Sequence, residues 1–419
     1  MQLEKYSIGV GDRFARQGKA QLQALVMAKD AGVEIVPVWN KSYREHTIVG
    51  TSPDDVRKEA DAAVSALNWT GSYYVDADHI GLDNVDEFVD SSDFFTLDVA
   101  DAIGTAASAD DVRAFVEKWS KYTGNLAIPG LDAALHVTRG DIEAIARKFL
   151  LAVQEAGRTY RHIAEKKRNG NFVTEVSMDE TDQPQSPKEM LFILAAIAEQ
   201  GIPAQTIAPK FTGEFYKGID YVGDTAQFEK EFTEDLAVIA FAVKEFGLPG
   251  NLKLSVHSGS DKFSVYPLMA KALKRFDAGL HLKTAGTTWL EELIGLAEGG
   301  GDGLEVAKDI YTQALSRYDE LCEPYAPVID IDKNALPTAD EVSSWDGARY
   351  ARTLRHDQAC PDYSIHFRQM LHVAYKIAAE MGTRYYDALA RYEESVAGNV
   401  TTNLFDRHLK PLFPGTLNP

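Results

Sequence analysis

Residues 253–283 read KLSVHSGSDKFSVYPLMAKALKRFDAGLHLK. Each end of this stretch is a short strand candidate: Lys253–His257 has apolar residues at Leu254 and Val256, and Gly279–Lys283 has them at Leu280 and Leu282. Between them, Tyr266–Phe276 carries apolar residues at helical spacing. The stretch therefore predicts a strand–helix–strand unit, which brings two parallel strands side by side.

The same alternation runs through the first 290 residues of the chain. The candidate strands are Tyr6–Val10, Glu34–Trp39, Ser72–Asp76, Phe94–Val99, Phe172–Ser177, Ala204–Ala208, Lys253–His257 and Gly279–Lys283. The helical patterns between them are Gln17–Ala31, Pro53–Leu67, Asp110–Tyr122, Pro187–Gln200, Thr225–Phe246 and Tyr266–Phe276. Eight strands with intervening helices predict an α/β fold, a closed (β/α)8 barrel of the TIM type. A doubly wound sheet is the alternative, but the turn at residues 9–14 reads GVGDRF and lacks the glycine spacing of a dinucleotide fold.

Two segments exceed what a barrel needs. We expect residues 1–290 to form the catalytic barrel domain, interrupted at about 120–170 by an insertion after the fourth strand. The insertion contains a long helical pattern at Asp141–Arg168. We expect residues 291–419 to form a mostly helical region that packs on the barrel.

Composition excludes several classes of function. The 419 residues include 63 acidic and 43 basic side chains, a formal charge of −20, which disfavours nucleic acid and anionic membranes as partners. The two cysteines form no CxxC pair, and the longest apolar runs have eight residues, whereas a membrane span needs roughly 20. The N-terminus lacks the order of residues typical of a signal peptide, so a cytoplasmic location is predicted. The sequence leaves the oligomeric state open, a homo-oligomer included.

Acidic and basic residues follow the fifth and sixth predicted strands. Asp179 and Glu180 are adjacent after the fifth strand, so one of them can face a metal while the other faces a substrate. Lys210 and Glu214 lie four residues apart after the sixth strand and could orient and protonate a substrate, or form an exposed ion pair. In a (β/α)8 barrel, reacting groups gather at these strand ends.

Histidines occupy the last two predicted strands. His257 closes the seventh strand, and His281 shares one face of the eighth strand with Lys283. Two histidines and one carboxylate form the set that holds a divalent ion such as Zn, Mn, Fe, Co or Ni. Weaker candidates are the polar residues at the ends of the third and fourth strands, which could be structural or could bind sugar hydroxyls: Asp76, Asp78, His79, Asp98 and Asp101.

Five stretches of the chain form longer motifs: SIGVGDRF at 7–14, EVSMDET at 175–181, GEF at 213–215, SVHSGSDK at 255–262 and HLKTAG at 281–286. These motifs resemble those of the tagaturonate epimerase family, whose members are bacterial metal-dependent enzymes that interconvert tagaturonate and fructuronate in hexuronate catabolism. The resemblance implies that Glu180, His257 and His281 are the metal ligands. It implies that Asp179 is the proton acceptor and Glu214 the proton donor. Lys210, Lys283 or Arg355 would then hold the carboxylate of the sugar acid substrate.

The chemistry of that reaction favours a particular route. Tagaturonate and fructuronate differ at C4, whose hydrogen is not acidic because C4 is not adjacent to the ketone. Retro-aldol cleavage of the C3–C4 bond, rotation of the aldehyde and re-addition would invert C4 without removing that hydrogen. Two alternatives stay open: a metal-dependent ketose isomerase or aldolase acting on a related sugar, and a non-catalytic protein that binds sugar acids.

Overall fold

The computed structural model describes residues 1–168, 170–181 and 183–413. The strands are β1 (Tyr6–Gly11), β2 (Val36–Ser42), β3 (Tyr74–Ile80), β4 (Phe94–Asp98), β5 (Gly124–Leu126), β6 (Leu135–Val137), β7 (Val173–Ser177), β8 (Thr206–Ala208), β9 (Lys253–His257) and β10 (Leu280–Ala285). Eight of them close a parallel barrel in the order β1-β10-β9-β8-β7-β4-β3-β2. The predicted (β/α)8 barrel is confirmed, and each of its strands overlaps the strand predicted from the sequence.

Helices surround the barrel and continue to the C-terminus. They are α1 (Gly18–Asp30), α2 (Tyr43–Val49), α3 (Pro53–Ala66), α4 (Ala109–Trp119), α5 (Arg139–Lys166), α6 (Pro187–Glu199), α7 (Thr225–Phe246), α8 (Tyr266–Phe276), α9 (Thr288–Gly299), α10 (Gly301–Ser316), α11 (Tyr318–Cys322), α12 (Ala339–Ser343), α13 (Gly347–Leu354), α14 (Ile365–Val373), α15 (Tyr375–Met381), α16 (Thr383–Arg391), α17 (Glu393–Leu404) and α18 (Lys410–Leu412). Among the described residues, none of these helices has the length and apolar character that crossing a membrane requires.

Capping side chains fix where several helices begin. At α6, the Ser186 hydroxyl accepts the backbone N–H of Glu189, whose carboxylate accepts the N–H of Ser186 in return, and Pro187 takes the first position. Thr138 and Asp141 make the same reciprocal pair at the start of α5. Such caps satisfy backbone donors that have no partner inside the helix. The cap at Ser186 also fixes the far end of the β7–α6 loop, which carries Asp179.

The insertion after β4 holds the predicted long helix, α5, and an antiparallel hairpin of β5 and β6 that the sequence did not predict. In the C-terminal region, α9 to α16 bury a second apolar cluster, which includes Leu293, Tyr311 and Phe367 and also takes in Phe14 from the loop after β1. The end of α17 and α18 instead contribute Leu404 and Leu412 to the apolar cluster around the barrel. The helical C-terminal region is thus confirmed, while the division at residue 290 stays a prediction and residues 414–419 lie outside the described residues.

Strand register sets the depth of each side chain inside the barrel. Lys283 of β10 is level with His257 of β9, and His281 is level with Ser255. Residues two apart on a strand are separated by about 6.6 Å along it. His281 therefore lies one layer below the level of His257 and Lys283, farther from the carboxyl ends of the strands.

Candidate active site

The carboxyl ends of β3, β7, β9 and β10 bring a group of charged side chains together. His257 is at its centre. Its Nε2 lies 2.8 Å from Oε1 of Glu175, which belongs to β7, two strands away in the barrel. Its Nδ1 lies 3.0 Å from Oδ2 of Asp179. Only 8% of the His257 side chain is exposed, so both carboxylates act on it in a largely water-free setting.

Each of these carboxylates is held in place by another residue. Glu175 is fully buried in β7, and its Oε1 also accepts a hydrogen bond from the Thr96 hydroxyl at 3.2 Å. The Ser177 hydroxyl donates to Oδ1 of Asp179 at 2.5 Å, which leaves Oδ2 facing His257. The Nε2–H of His257 therefore donates to Glu175. Its Nδ1, which makes no well-formed hydrogen bond, remains directed at Asp179.

His79 approaches the same point from β3. Its ring is 5.1 Å from that of His257, centre to centre, at nearly a right angle. The Nδ1–H of His79 faces Oδ2 of Asp98 at 3.1 Å, which leaves Nε2 available. His79 has φ 54°, a left-handed conformation that costs a residue other than glycine free energy and is concentrated at functional sites.

His79, Asp179 and His257 could hold a metal ion, because one ligand atom of each lies within 4.8 Å of the other two. Two imidazoles and a carboxylate suit Zn, Mn, Fe, Co or Ni, and the second nitrogen of each ring already has a carboxylate partner. Within the ranges that the structure describes, no other group of three histidine, cysteine or acidic residues meets this distance.

A buried lysine lies beside this cluster. The Nζ of Lys283 is 2.7 Å from Oδ2 of Asp76, 2.8 Å from Oδ1 of Asp78 and 3.5 Å from Oε1 of Glu175. Its ammonium also donates to the Thr96 hydroxyl. One cation thus faces three carboxylates, and it links the acidic end of β3 to the glutamate that holds His257.

The charges of these groups depend on one another. Burial disfavours a charged His257, but Asp179 and Glu175 outweigh it and raise the pKa of the imidazole to about 9. For His79, Asp78 and Asp98 outweigh burial in the same way and raise its pKa to about 10. Burial raises the pKa of Asp76, so the three carboxylates around Lys283 need not all be ionised.

Glu175 and Asp179, the two carboxylates that face His257, stay ionised although burial opposes their charge. Burial works against the charge on Glu175, but Lys283 and then His257 hold its pKa well below the usual range. Burial likewise opposes the charge on Asp179, and His257 and His79 hold its pKa below the usual range. Both carboxylates are therefore anionic near neutral pH, as a metal ligand or a proton acceptor must be.

Two residues expected as ligands lie apart from this cluster. Glu180 is exposed, and its side chain makes no hydrogen bond or ion pair within the described part of the chain. His281 is fully buried one layer deeper, where its Nδ1 lies 2.9 Å from the Ser7 hydroxyl and its Nε2 has no partner. Burial lowers the pKa of His281 to about 3. Together with His257, these two residues do not form a group within the 4.8 Å that the described triad satisfies.

The other predicted residues occupy different positions. Glu214 is exposed in the loop after β8, where its backbone pairs with that of Val222. Lys210 is half-buried in the same loop, and its backbone N–H donates to Gln185. Arg355 is engaged elsewhere, because its Nη2 lies 2.8 Å from Oε1 of Glu298 and 2.7 Å from Oδ1 of Asn399. Lys283 is the one predicted carboxylate-binding residue that lies in the charged cluster, and its charge is already matched.

The sequence alone gives little indication that two residues of the cluster, Glu175 and His79, belong to the site. Glu175 lies within the EVSMDET motif, but its sequence context predicts no role for it, since a glutamate inside an apolar strand carries no signal of its partners. His79 was only a weak candidate. Its place two residues beyond the buried Ala77 at a strand end, among Asp76 and Asp78, was the available signal.

Comparisons with known proteins agree with this fold and identify the family. Residues 1–412 match the model of the UxaE family, described as tagaturonate epimerase. The tagaturonate/fructuronate epimerase of Thermotoga maritima is 29% identical over 407 residues, which cover 93% of this chain and 77% of that protein.

Solved structures of fructuronate-tagaturonate epimerases share the fold of this chain. A glycerol-bound fructuronate-tagaturonate epimerase from Cohnella laeviribosi has a TM-score of 0.77 and 25% identity, and the match covers 98% of this chain and 81% of that one. Its native crystal structure has a TM-score of 0.75 at 25% identity, covering 98% and 82%. Because the family match extends over nearly the whole sequence, the chain belongs to the tagaturonate epimerase family and is an isomerase of the epimerase type.

Proposed function

We propose that this epimerase interconverts tagaturonate and fructuronate by inverting C4, with a divalent metal ion bound by His79, Asp179 and His257. The observation that carries the proposal is the convergence of these three side chains at the carboxyl end of the barrel, within 4.8 Å of one another. This is the end of a (β/α)8 barrel where active sites form. The family match supports the substrate pair.

The three side chains fit a metal by their chemistry. The Nδ1 of His257 is buried without a well-formed hydrogen bond, while Glu175 holds the opposite nitrogen. Asp98 does the same for His79. Because both imidazoles are protonated near neutral pH, a metal must displace one proton from each ring when it binds. The carboxylate behind each histidine then holds the remaining N–H and orients the ligating nitrogen, an arrangement typical of metal-binding histidines. When bound, a divalent ion would act as a Lewis acid toward the substrate ketone.

The resemblance to the family implies a second ligand set, Glu180, His257 and His281, with Asp179 as the proton acceptor. The two sets share only His257. They predict different behaviour of the same variants, because Asp179→Asn would lose metal in the first case and keep it in the second. We favour the first set, since Glu180 is exposed and His281 lies one layer deeper in the barrel.

The reaction itself needs proton transfer at one oxygen. A proton leaves the C4 hydroxyl, the C3–C4 bond breaks, and an aldehyde at C4 and an enediolate over C2 and C3 result. After the aldehyde rotates, the bond forms again on the other face and the proton returns to the C4 oxygen. The C4 hydrogen stays on its carbon throughout.

Glu214 is proposed as one carrier of that proton. Its exposed position in the β8–α7 loop lets it exchange protons with water between turnovers. The chain provides further charged groups for the substrate, and Lys210 stays a candidate for its carboxylate. Lys283 has a different part in this proposal, since it keeps Glu175 ionised and so helps to orient His257.

Turnover of substrate carrying deuterium at C4 tests the retro-aldol route. With metal-loaded enzyme in ordinary water, the product should retain the deuterium, and no nicotinamide cofactor should be needed. Retention is expected because the bond that breaks joins C3 to C4. Loss of the label to water would contradict the proposal, and dependence on a nicotinamide would replace it with transient oxidation at C4.

A further inference from the structure

The β8–α7 loop places a second basic side chain, Lys217, over the loop that follows His257. A Cβ built on Gly259, two residues beyond His257, would lie 2.9 Å from the Nζ of Lys217. The backbone N–H of Lys217 donates to the carbonyl of Val328 at 2.8 Å, which ties this part of the loop to the C-terminal region. Gly259 has φ 64°, and its missing side chain leaves room for the ammonium group.

A buried histidine faces the same loop from the C-terminal region. His372 of α14 is only 4% exposed, and a Cβ built on Gly218 would lie 3.4 Å from its Nδ1. The Nε2 of His372 lies 3.0 Å from Nη2 of Arg13, in the loop after β1. An arginine can only donate, so Nε2 must accept and the neutral ring carries its proton on Nδ1. That N–H has no partner, and a buried donor without a partner is costly unless a ligand supplies one.

The surroundings of His372 carry an excess of positive charge in a chain whose net charge is −20. Burial and then Arg13, Lys217 and Arg368 hold the pKa of His372 well below its usual range, so the ring is neutral. Arg13 is 3.1 Å from Oε1 of Glu45 and is matched by it.

The remaining cations are matched only in part. Arg368 is matched by Asp261, with Nη2 and Oδ2 2.8 Å apart. Lys262 donates to backbone carbonyls, with Nζ 2.8 Å from the oxygen of Ile219, and burial lowers its pKa to about 7, so it adds only part of a positive charge. Lys217 has no carboxylate within 4.0 Å among the described residues. An anion is therefore the ligand that these groups favour.

We propose that Lys217 and the Nδ1–H of His372, with Arg13 behind them, bind the carboxylate of the sugar acid substrate. The inference rests on the proposed function, because it assigns the anionic end of the same substrate. It differs from the sequence-based candidates in a physical respect: Lys283 and Arg355 already have acidic or amide partners, whereas Lys217 has none. Lys217 is also the candidate that lies against the loop directly after His257.

The test compares Lys217→Met with Lys210→Met and with the exposed surface variant Lys244→Met, all loaded with the same divalent metal. Dissociation constants are measured for tagaturonate and for the neutral ketose D-tagatose, with KM and kcat for the epimerisation. Lys217→Met should weaken tagaturonate binding and raise KM by roughly 10- to 100-fold, the usual effect of losing one charge-assisted contact. Binding of D-tagatose and kcat should change by less than about threefold, since neither depends on the carboxylate.

Several outcomes would overturn the inference. One is normal uronate binding by Lys217→Met, and another is an equal loss for the neutral ketose. A loss confined to Lys210→Met would assign the carboxylate to Lys210 instead. Lys217→Arg should recover most of the affinity, which a folding defect in Lys217→Met would not predict. If the wild-type enzyme turns over tagaturonate while Lys217→Met behaves like Lys244→Met, only this inference fails; if the wild type does not bind tagaturonate at all, the proposed function fails with it.

Discussion

Replacement of Lys283 by methionine should destabilise the barrel strongly. The Lys283 side chain is 1% exposed, and its ammonium is the cation that faces Asp76, Asp78 and Glu175 at 2.7, 2.8 and 3.5 Å. Methionine has a similar length but removes the ammonium that lies nearest to Asp76 and Asp78, so the buried negative charge is balanced only in part, by His79 and His257. Removal of one partner from a buried ion pair costs about 3–5 kcal/mol.

That loss can be expressed as a change in melting temperature. Unfolding entropies of about 2.1 cal/mol/K per residue give about 0.9 kcal/mol/K for a chain of this length, so Tm should fall by roughly 3–6 °C. Calorimetry on metal-free protein at pH 7.5 measures it. Lys5→Met serves as the matched control, because the Lys5–Asp277 pair is exposed and such pairs contribute little.

A double variant separates charge from packing. If the uncompensated carboxylates cause the loss, Asp76→Asn combined with Lys283→Met should recover part of the Tm that Lys283→Met loses. A Tm for Lys283→Met within 1 °C of the wild type would refute the reasoning, as would a double variant less stable than the single one.

Three further results are expected. His79→Ala should lose bound metal, measured by inductively coupled plasma mass spectrometry after gel filtration, while His281→Ala should retain it; the opposite pattern would favour the ligand set implied by the family resemblance. Glu214→Gln should keep metal and fold but lose turnover by roughly 10²–10⁴-fold, the range for a positioned proton-transfer group, and near-normal activity would remove Glu214 from the reaction. Burial, then Asp261, raises the pKa of Glu291 from 4.5 to about 7, so the folded protein keeps a proton that the unfolded chain has released and loses stability as pH rises between those values. Glu291→Gln, which cannot ionise, should therefore gain up to about 3 kcal/mol relative to the wild type between pH 4.5 and 8 in urea denaturation, and an unchanged difference across that range would contradict the assignment.

The barrel could be predicted because its signals are local. The helical pattern at Thr225–Phe246 and the strand at Lys253–His257 coincide with α7 and β9, since apolar spacing and buried strand composition dominate there. The hairpin of β5 and β6 escaped prediction because each strand has three residues, β5 is mostly exposed and only Val137 of β6 is buried. Such a strand has neither the length nor the alternation that sequence analysis depends on.

The candidate site shows where sequence reasoning stops. His281 and Lys283 do share one face of β10, as alternation predicts, but the same alternation separates them by a layer, and only the upper one reaches His257. The choice between Asp179 and Glu180 depends on the backbone beyond Ser177, which no local propensity determines. His79 reaches the site through a left-handed backbone conformation, and that conformation depends on tertiary packing.

The central claim is that His79, Asp179 and His257 bind the metal, and anomalous X-ray diffraction from crystals grown with Zn²⁺ tests it most directly. The peak should lie within roughly 2.0–2.2 Å of one imidazole nitrogen of His79, one of His257 and a carboxylate oxygen of Asp179. A peak bound by Glu180 and His281 instead, or no peak near His257 in an enzyme that is active and contains zinc, would contradict the account.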